Sequence, residues 1–150
     1  MLGIGVDLVY LPRISKLIAK YKGSSTLNAI CGKFMCAQEQ AHMGQLLLSG
    51  DATRTVQYMA GVWAAKEAVY KALSCFVPSN ALPPAQTVYS QLMHKHNVGK
   101  CPTLSTLESF PQLYPQHEQF YSKYILPSRM LLSISHDGDY LIAYTTVSKK

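Results

Sequence analysis

The chain has 150 residues, 48% of them hydrophobic and 15% charged, which excludes a disordered or collagen-like chain and suits one domain with a core of its own. A net charge of +6 and a pI near 9.2 point to an acidic partner, whether nucleic acid, phosphorylated ligand, anionic membrane or acidic protein. No apolar run is long enough to span a membrane, and Cys31, Cys36, Cys75 and Cys101 show neither a CxxC pair nor zinc-finger spacing, as expected of thiols in a reducing compartment.

Leu2 to Val9 alternates as a strand does. Leu2, Ile4, Val6 and Leu8 are predicted to face the core, leaving Gly3, Gly5, Asp7 and Val9 on a face bare enough for close approach to the backbone. Pro12 suits a first helical position, Ile14, Leu17, Ile18 and Tyr21 follow at helical spacing, and Gly23 stops the run. Residues 24 to 36 are ambiguous. Ala37 to Ser49 reads as a helix closed by Gly50 and Asp51. Thr53 to about Cys75 is the strongest helix, rich in good formers and free of proline. Met59, Val62, Val69 and Leu73 are predicted on its buried side, while Ala60, Ala64, Glu67 and Lys71 share another face.

Pro78, Pro83 and Pro84 mark a loop, and Thr87 to Met93 has strand character. The polar run His94 to Gly99 reads as a turn, with a further strand over 101 to 107. Residues 108 to 127, rich in Pro, Gln and Tyr, predict an irregular insertion with a short helix near Gln116 to Tyr124. Arg129 to Ser135 and Tyr140 to Val147 then form a hairpin about Asp137-Gly138. The order β-α-α-α-β-β-insertion-β-β predicts a single α+β domain over 1-150, with the long helix packed on an antiparallel sheet.

Three segments could carry chemistry. In Gly3-Ile4-Gly5-Val6-Asp7 a carboxylate beside glycines suits a metal or a phosphate, although an Asp at a strand end also serves as a cap or in a turn. Glu67 and Lys71, four apart, could equally form an ordinary ion pair on a solvated helix face, worth about 0.2–0.5 kcal/mol. In Ser133-Ile134-Ser135-His136-Asp137-Gly138 the imidazole could be an ordinary hairpin histidine.

Taken in order, GIGVD, WAAKEAVYKAL and SISHDG resemble the holo-acyl-carrier-protein synthase family of 4'-phosphopantetheinyl transferases. The matches cover Leu2 to Ile14, Met59 to Leu73 and Leu131 to Tyr144, and Gly99-Lys100-Cys101-Pro102 resembles the family's Gly-Lys-Pro loop. The resemblance implies the phosphopantetheinyl transferase fold and transfer of 4'-phosphopantetheine from coenzyme A to a serine of apo acyl carrier protein, releasing 3',5'-ADP. It implies a Mg2+ site at Asp7 and Glu67, in keeping with that ion's preference for one or two carboxylates plus substrate phosphates. Glu67 would be the base, directly or through a water, and Lys71 would stabilise charge on the phosphoryl or leaving group. Lys66, adjacent in the motif, should point elsewhere on the helix. Ser135 and His136 would bind coenzyme A phosphate or sit near the metal, with His136 among the catalytic residues. Gly99 and Lys100 would approach the nucleotide end, and Arg13 would meet the acidic carrier.

The chain departs from the family pattern in places. Val62-Trp63 stands where many members have Arg-Phe, Ser74 to Pro84 replaces a glycine-rich segment, and Thr103 to Pro127 is longer than in compact bacterial members. These departures bear on nucleotide and carrier binding more than on the metal. With Gly5-Val6-Asp7-Leu8-Val9-Tyr10-Leu11-Pro12-Arg13 they suggest a fungal mitochondrial member, a cytoplasmic location being the alternative. The N-terminus shows no signal peptide and no Arg-rich presequence, and whether a presequence was removed is open. Compact members form homotrimers with sites between subunits; the insertion leaves a monomer or another assembly open. A catalytically inactive carrier-binding module is the alternative function, although keeping Asp7, Glu67, Lys71 and His136 together argues against it. A nucleic-acid-binding domain has only the charge in its favour, without a helix-turn-helix, zinc-finger or aromatic RNA-binding signature, and neither nucleic acid nor membrane is expected as a partner.

Overall fold

A computed structural model describes residues 1–150. Strand β1 (Gly3–Tyr10) leads directly into α1 (Leu11–Tyr21), and then come α2 (Ser25–Gly32), α3 (Ala37–Ser49) and the 23-residue α4 (Ala52–Ser74). A short helix, α5 (Ala85–Thr87), continues into a π-helical turn at Val88–Leu92. Strands β2 (Met93–Val98) and β3 (Cys101–Thr106) form a two-stranded antiparallel sheet. The insertion holds α6 (Phe110–Leu113), a 3₁₀ turn (Pro115–His117), α7 (Glu118–Phe120) and a second π-helical turn (Tyr121–Ile125). Strands β4 (Ser128–Asp137) and β5 (Tyr140–Lys149) complete a three-stranded antiparallel sheet in the order β1-β5-β4.

The expected α+β architecture, a long helix on an antiparallel sheet, is present, but β1 faces the opposite way from the prediction. Gly3, Gly5 and Val9 are buried with Asp7 half-buried, whereas Ile4 (46% exposed) and Leu8 (60%) lie on the open side. The cause is the approach of α4. A Cβ built on Gly5 would stand 1.8 Å from the Ala68 carbonyl oxygen, and one on Gly3 would stand 2.0 Å from that of Ala72. Backbone packs on backbone here, so the glycine face is the inner face, and alternation alone cannot distinguish a bare inner face from an apolar outer one. Leu141, Ala143, Thr145 and Val147 continue the inner face across β5.

Helix α4 is buried on nearly every side. Asp51 caps its start, its carboxylate accepting from the Arg54 amide at 3.0 Å. Its first half packs with Val9, Ile14, Ile18, Phe34 and Met35, its second half with Val88, Leu92, Phe110 and Phe120. Burial of a side chain such as Val62 or Leu73 contributes about 1.5–3 kcal/mol, far more than helix propensity does, so packing dictates this helix.

Further local expectations are corrected. Thr87–Met93 is helical up to Leu92 instead of extended, because Val88, Tyr89 and Leu92 all reach the core from consecutive helical turns. His94–Val98 is strand, paired register by register with Cys101–Ser105, and the turn shrinks to Gly99-Lys100 with Gly99 at φ 61°. The ambiguous residues 24 to 36 contain α2. In the last hairpin Asp137 pairs with Tyr140, so the turn is Gly138-Asp139, with Gly138 at φ 55°.

Candidate active site

Asp7 is the third residue on the inner face of β1, after two glycines that let α4 lie against the strand. Lys71, on α4, donates to Asp7 Oδ1 at 2.8 Å and to the Val6 carbonyl at 3.0 Å. The Lys71 side chain is 49% exposed and that of Asp7 15%, so the pair is worth about 0–1 kcal/mol and the lysine stays accessible from solvent. Glu67 precedes Lys71 by one helical turn and is half-buried. The chain has two ion pairs, Lys71–Asp7 and Lys66–Glu39, and Glu67 takes part in neither.

Tyr89 joins this group from the π-helical turn. Its residue is 6% exposed, and burial first of all, then the neighbouring Glu67 carboxylate, then Tyr70 and Asp7, hold its hydroxyl far above the usual phenol range. Lys71 touches Asp7 and follows Glu67 by one turn on the same face of α4, so the two carboxylates approach one another from a strand and a helix. Two carboxylates leave most positions around a cation to water and phosphate oxygens, which is the donor set that Mg2+ favours. The ammonium on Asp7 shows that this carboxylate already accommodates a positive charge.

Lys66 departs from its neighbours in the opposite direction. It lies in line with buried Val62, Val69 and Leu73, is wholly buried, and pairs with wholly buried Glu39. Burial pushes its ammonium below the usual lysine range, and the Glu39 charge partly offsets this. Glu39 also accepts from the Cys36 amide at 2.8 Å and the Lys95 amide at 2.7 Å, and Lys66 donates to the Tyr89 carbonyl at 2.6 Å.

The other predicted residues do not meet Asp7 within one chain. His136 shares the inner side of the sheet with Asp7 by register, but it is exposed and two strands away. Strand spacing puts their Cα atoms roughly 12 Å apart. Ser135, the preceding residue, points to the opposite, open face, where it is exposed. Gly99 and Lys100 form the exposed tip of the β2–β3 hairpin. Arg13 is exposed on α1 and rims an apolar cavity of about 330 Å³ with Ile14, Leu17, Lys33, Phe34 and Trp63.

A family model described as the 4'-phosphopantetheinyl transferase superfamily matches residues 3–145. The chain belongs to that superfamily, in its holo-acyl-carrier-protein synthase branch. It is 40% identical over 99% of its length to a mitochondrial holo-[acyl-carrier-protein] synthase of Saccharomyces cerevisiae, covering 92% of that protein. It is likewise 40% identical to one from Eremothecium gossypii, with 96% of this chain and 77% of the relative covered. Among solved structures, a "Chronobacterium ammoniagenes ACPS-CoA complex" matches with a TM-score of 0.65 at 23% identity, over 99% of this chain and 97% of the other, which supports the synthase fold.

Sequence reasoning missed Tyr89, Glu39 and the buried role of Lys66. Tyr89 had no local signal, being hidden in a segment with strand character. Lys66 did have one, since positions 62, 66, 69 and 73 form a single apolar stripe that the lysine completes. Glu39 had another, three residues into a helix behind Cys36, at the place where a capping-box glutamate sits.

Proposed function

We propose that this synthase-family chain, as one catalytic domain, transfers 4'-phosphopantetheine from coenzyme A to a serine hydroxyl of an acidic apo acyl carrier protein, with Mg2+ held by Asp7 and Glu67. The observation that carries this reading is the convergence of those two carboxylates, with Lys71 one helical turn from Glu67 and in contact with Asp7. Relatives named as holo-acyl-carrier-protein synthases and a family structure described as a coenzyme A complex support the substrates. Relatives named as mitochondrial support a mitochondrial location.

In the reaction the serine oxygen attacks the phosphorus nearer the pantetheine arm. A new O–P bond forms, the bond to the other phosphate breaks, and 3',5'-ADP leaves with that electron pair. The serine proton passes to Glu67, directly or through a water. Lys71 turns from Asp7 to the phosphates and stabilises the negative charge that builds on them. When bound, Mg2+ supplies Lewis-acid neutralisation of the pyrophosphate. Gly99, Lys100, Ser135 and His136 would complete the coenzyme A site, and the cavity beneath Arg13 and Lys33 combines positive charge with apolar lining, as an acidic amphipathic carrier helix requires.

Assembly bears on that completion. The open face of the three-stranded sheet carries Ile4, Val6, Leu8, Leu131, Ile142 and Tyr144, each at least 40% exposed. Such a face calls for a partner, and a homotrimer would cover it and place exposed Ser135 beside the subunit boundary. Asp7→Asn and Glu67→Gln test the site assignment: each should leave the unfolding curve near wild type and abolish transfer, and near-normal rates with an unchanged Mg2+ requirement would overturn the assignment.

A further inference from the structure

Glu67 lacks an ion-pair partner, yet a proton acceptor and cation ligand must be held in one orientation. The residues around it explain how. Trp63, Glu67 and Tyr70 stand at i, i+4 and i+7 on one face of α4. The Tyr89 ring packs edge-on to both aromatics, 6.2 Å from Trp63 and 5.6 Å from Tyr70 between ring centroids, so it spans the interval in which Glu67 lies. Tyr70 is itself tied down, its hydroxyl donating to the Pro83 carbonyl at 3.0 Å. Behind the ring, the buried Lys66 ammonium donates to the Tyr89 carbonyl, and Glu39 fixes that ammonium while accepting from two backbone amides. A wholly buried ion pair is costly to assemble and is seldom the most stabilising choice for a core. Here it links α3, α4, β2 and the π-helical turn at one point.

We infer that Tyr89 is a positioning residue whose hydroxyl donates to and orients the Glu67 carboxylate, and that the buried Lys66–Glu39 pair holds Tyr89 in place through its backbone carbonyl. The inference deepens the proposed role of Glu67 and rests on it. It also accounts for the adjacent lysine and glutamate of the helix motif: Glu67 faces the reaction, and Lys66 faces inward to brace the residue that aims it.

Tyr89→Phe keeps the ring and removes the hydroxyl. The expected result is a fall of about 10- to 100-fold in kcat, with the KM for carrier and the melting temperature unchanged. Binding of Mn2+, used as a paramagnetic probe on enzyme without coenzyme A, should weaken by about tenfold or more in the same variant. Wild-type kcat together with wild-type Mn2+ affinity in Tyr89→Phe would overturn the inference. Glu67→Gln, measured alongside, separates the two ideas: if it retains full transfer and Mn2+ binding, the role of Glu67 itself fails, whereas loss in Glu67→Gln with no loss in Tyr89→Phe sinks only the present inference. For the buried pair, the neutral double variant Lys66→Met/Glu39→Gln should lose kcat, and adding Tyr89→Phe to it should cost little more, since the residues act through one another. Lys66→Arg, which keeps charge and donors, is the second variant and should retain more activity than the double one. Wild-type kcat in either folded variant with Lys66 replaced by Met, or losses that simply multiply with that of Tyr89→Phe, would overturn the role of the pair.

Discussion

Gly5→Ala places a single methyl group where the strand meets the helix. The added Cβ would lie 1.8 Å from the Ala68 oxygen and 2.8 Å from the Ala72 nitrogen, both backbone atoms. Restoring an ordinary contact of about 3.4 Å means parting β1 from α4 by roughly 1.5 Å, which no rotamer change can supply. Overpacking against movable side chains costs about 1–3 kcal/mol, and against backbone the cost belongs at or above the upper end, about 3 kcal/mol. For a chain of this length that is a loss of roughly 6–12 °C in melting temperature. The same displacement carries Asp7 away from Lys71 and Glu67, so transfer should fall further than the unfolded fraction explains. Urea unfolding followed by circular dichroism measures the first effect, and transfer rates at a temperature where the variant is fully folded measure the second. Gly44→Ala is the control: it lies inside α3 with no atom within 4 Å of the new methyl, and it should gain roughly 0.8–1 kcal/mol from helix propensity. A Gly5→Ala protein as stable and active as wild type would refute the close-packing argument and the orientation of β1 with it.

Other perturbations probe separate parts of the account. Arg13→Glu reverses the charge at the rim of the apolar cavity and should raise the KM for carrier protein more than that for coenzyme A; equal effects in steady-state kinetics would contradict a docking role. Burial pushes the Cys31 thiol up from 9.0 to about 11, so between pH 9 and 11 the unfolded chain loses a proton that the folded chain keeps. Stability should therefore fall with rising pH across that window by about 1.4 kcal/mol per unit from this group. Cys31→Ala should flatten the slope in urea titrations under reducing conditions, and an unchanged slope would show that the thiol is not protected. Val6→Glu introduces charge on the open sheet face and should reduce the native mass measured by light scattering to that of a single chain, while an unchanged mass would exclude this face from assembly.

The sequence made the site legible where chemistry and spacing coincide. Asp7 beside two glycines, and Glu67 with Lys71 on one helical face, were readable, and the structure brings these residues together. The orientation of β1 was not readable, because Ile4, Val6 and Leu8 have the appearance of a core stripe, and only the contact of Gly3 and Gly5 with the carbonyls of α4 reveals the inner face. Tyr89 was hidden because Val88, Tyr89 and Leu92 suit a strand in isolation, and it is tertiary burial that selects the helical turn. The polar residues His94 to Asn97 looked like a loop, and their pairing with Thr103 to Ser105 and Pro102 depends on a partner strand that no local pattern announces. Long-range contacts, not local propensity, decided each of these cases.

The central claim is that this synthase-family chain moves the phosphopantetheine arm with the help of a divalent cation at Asp7 and Glu67. Mass spectrometry of an apo acyl carrier protein incubated with the chain, coenzyme A and Mg2+ tests it most directly. The carrier should gain the mass of one phosphopantetheine group, 3',5'-ADP should appear in equal amount, and EDTA should block both. An unmodified carrier across mitochondrial and bacterial examples, or a gain that EDTA does not touch, would contradict it.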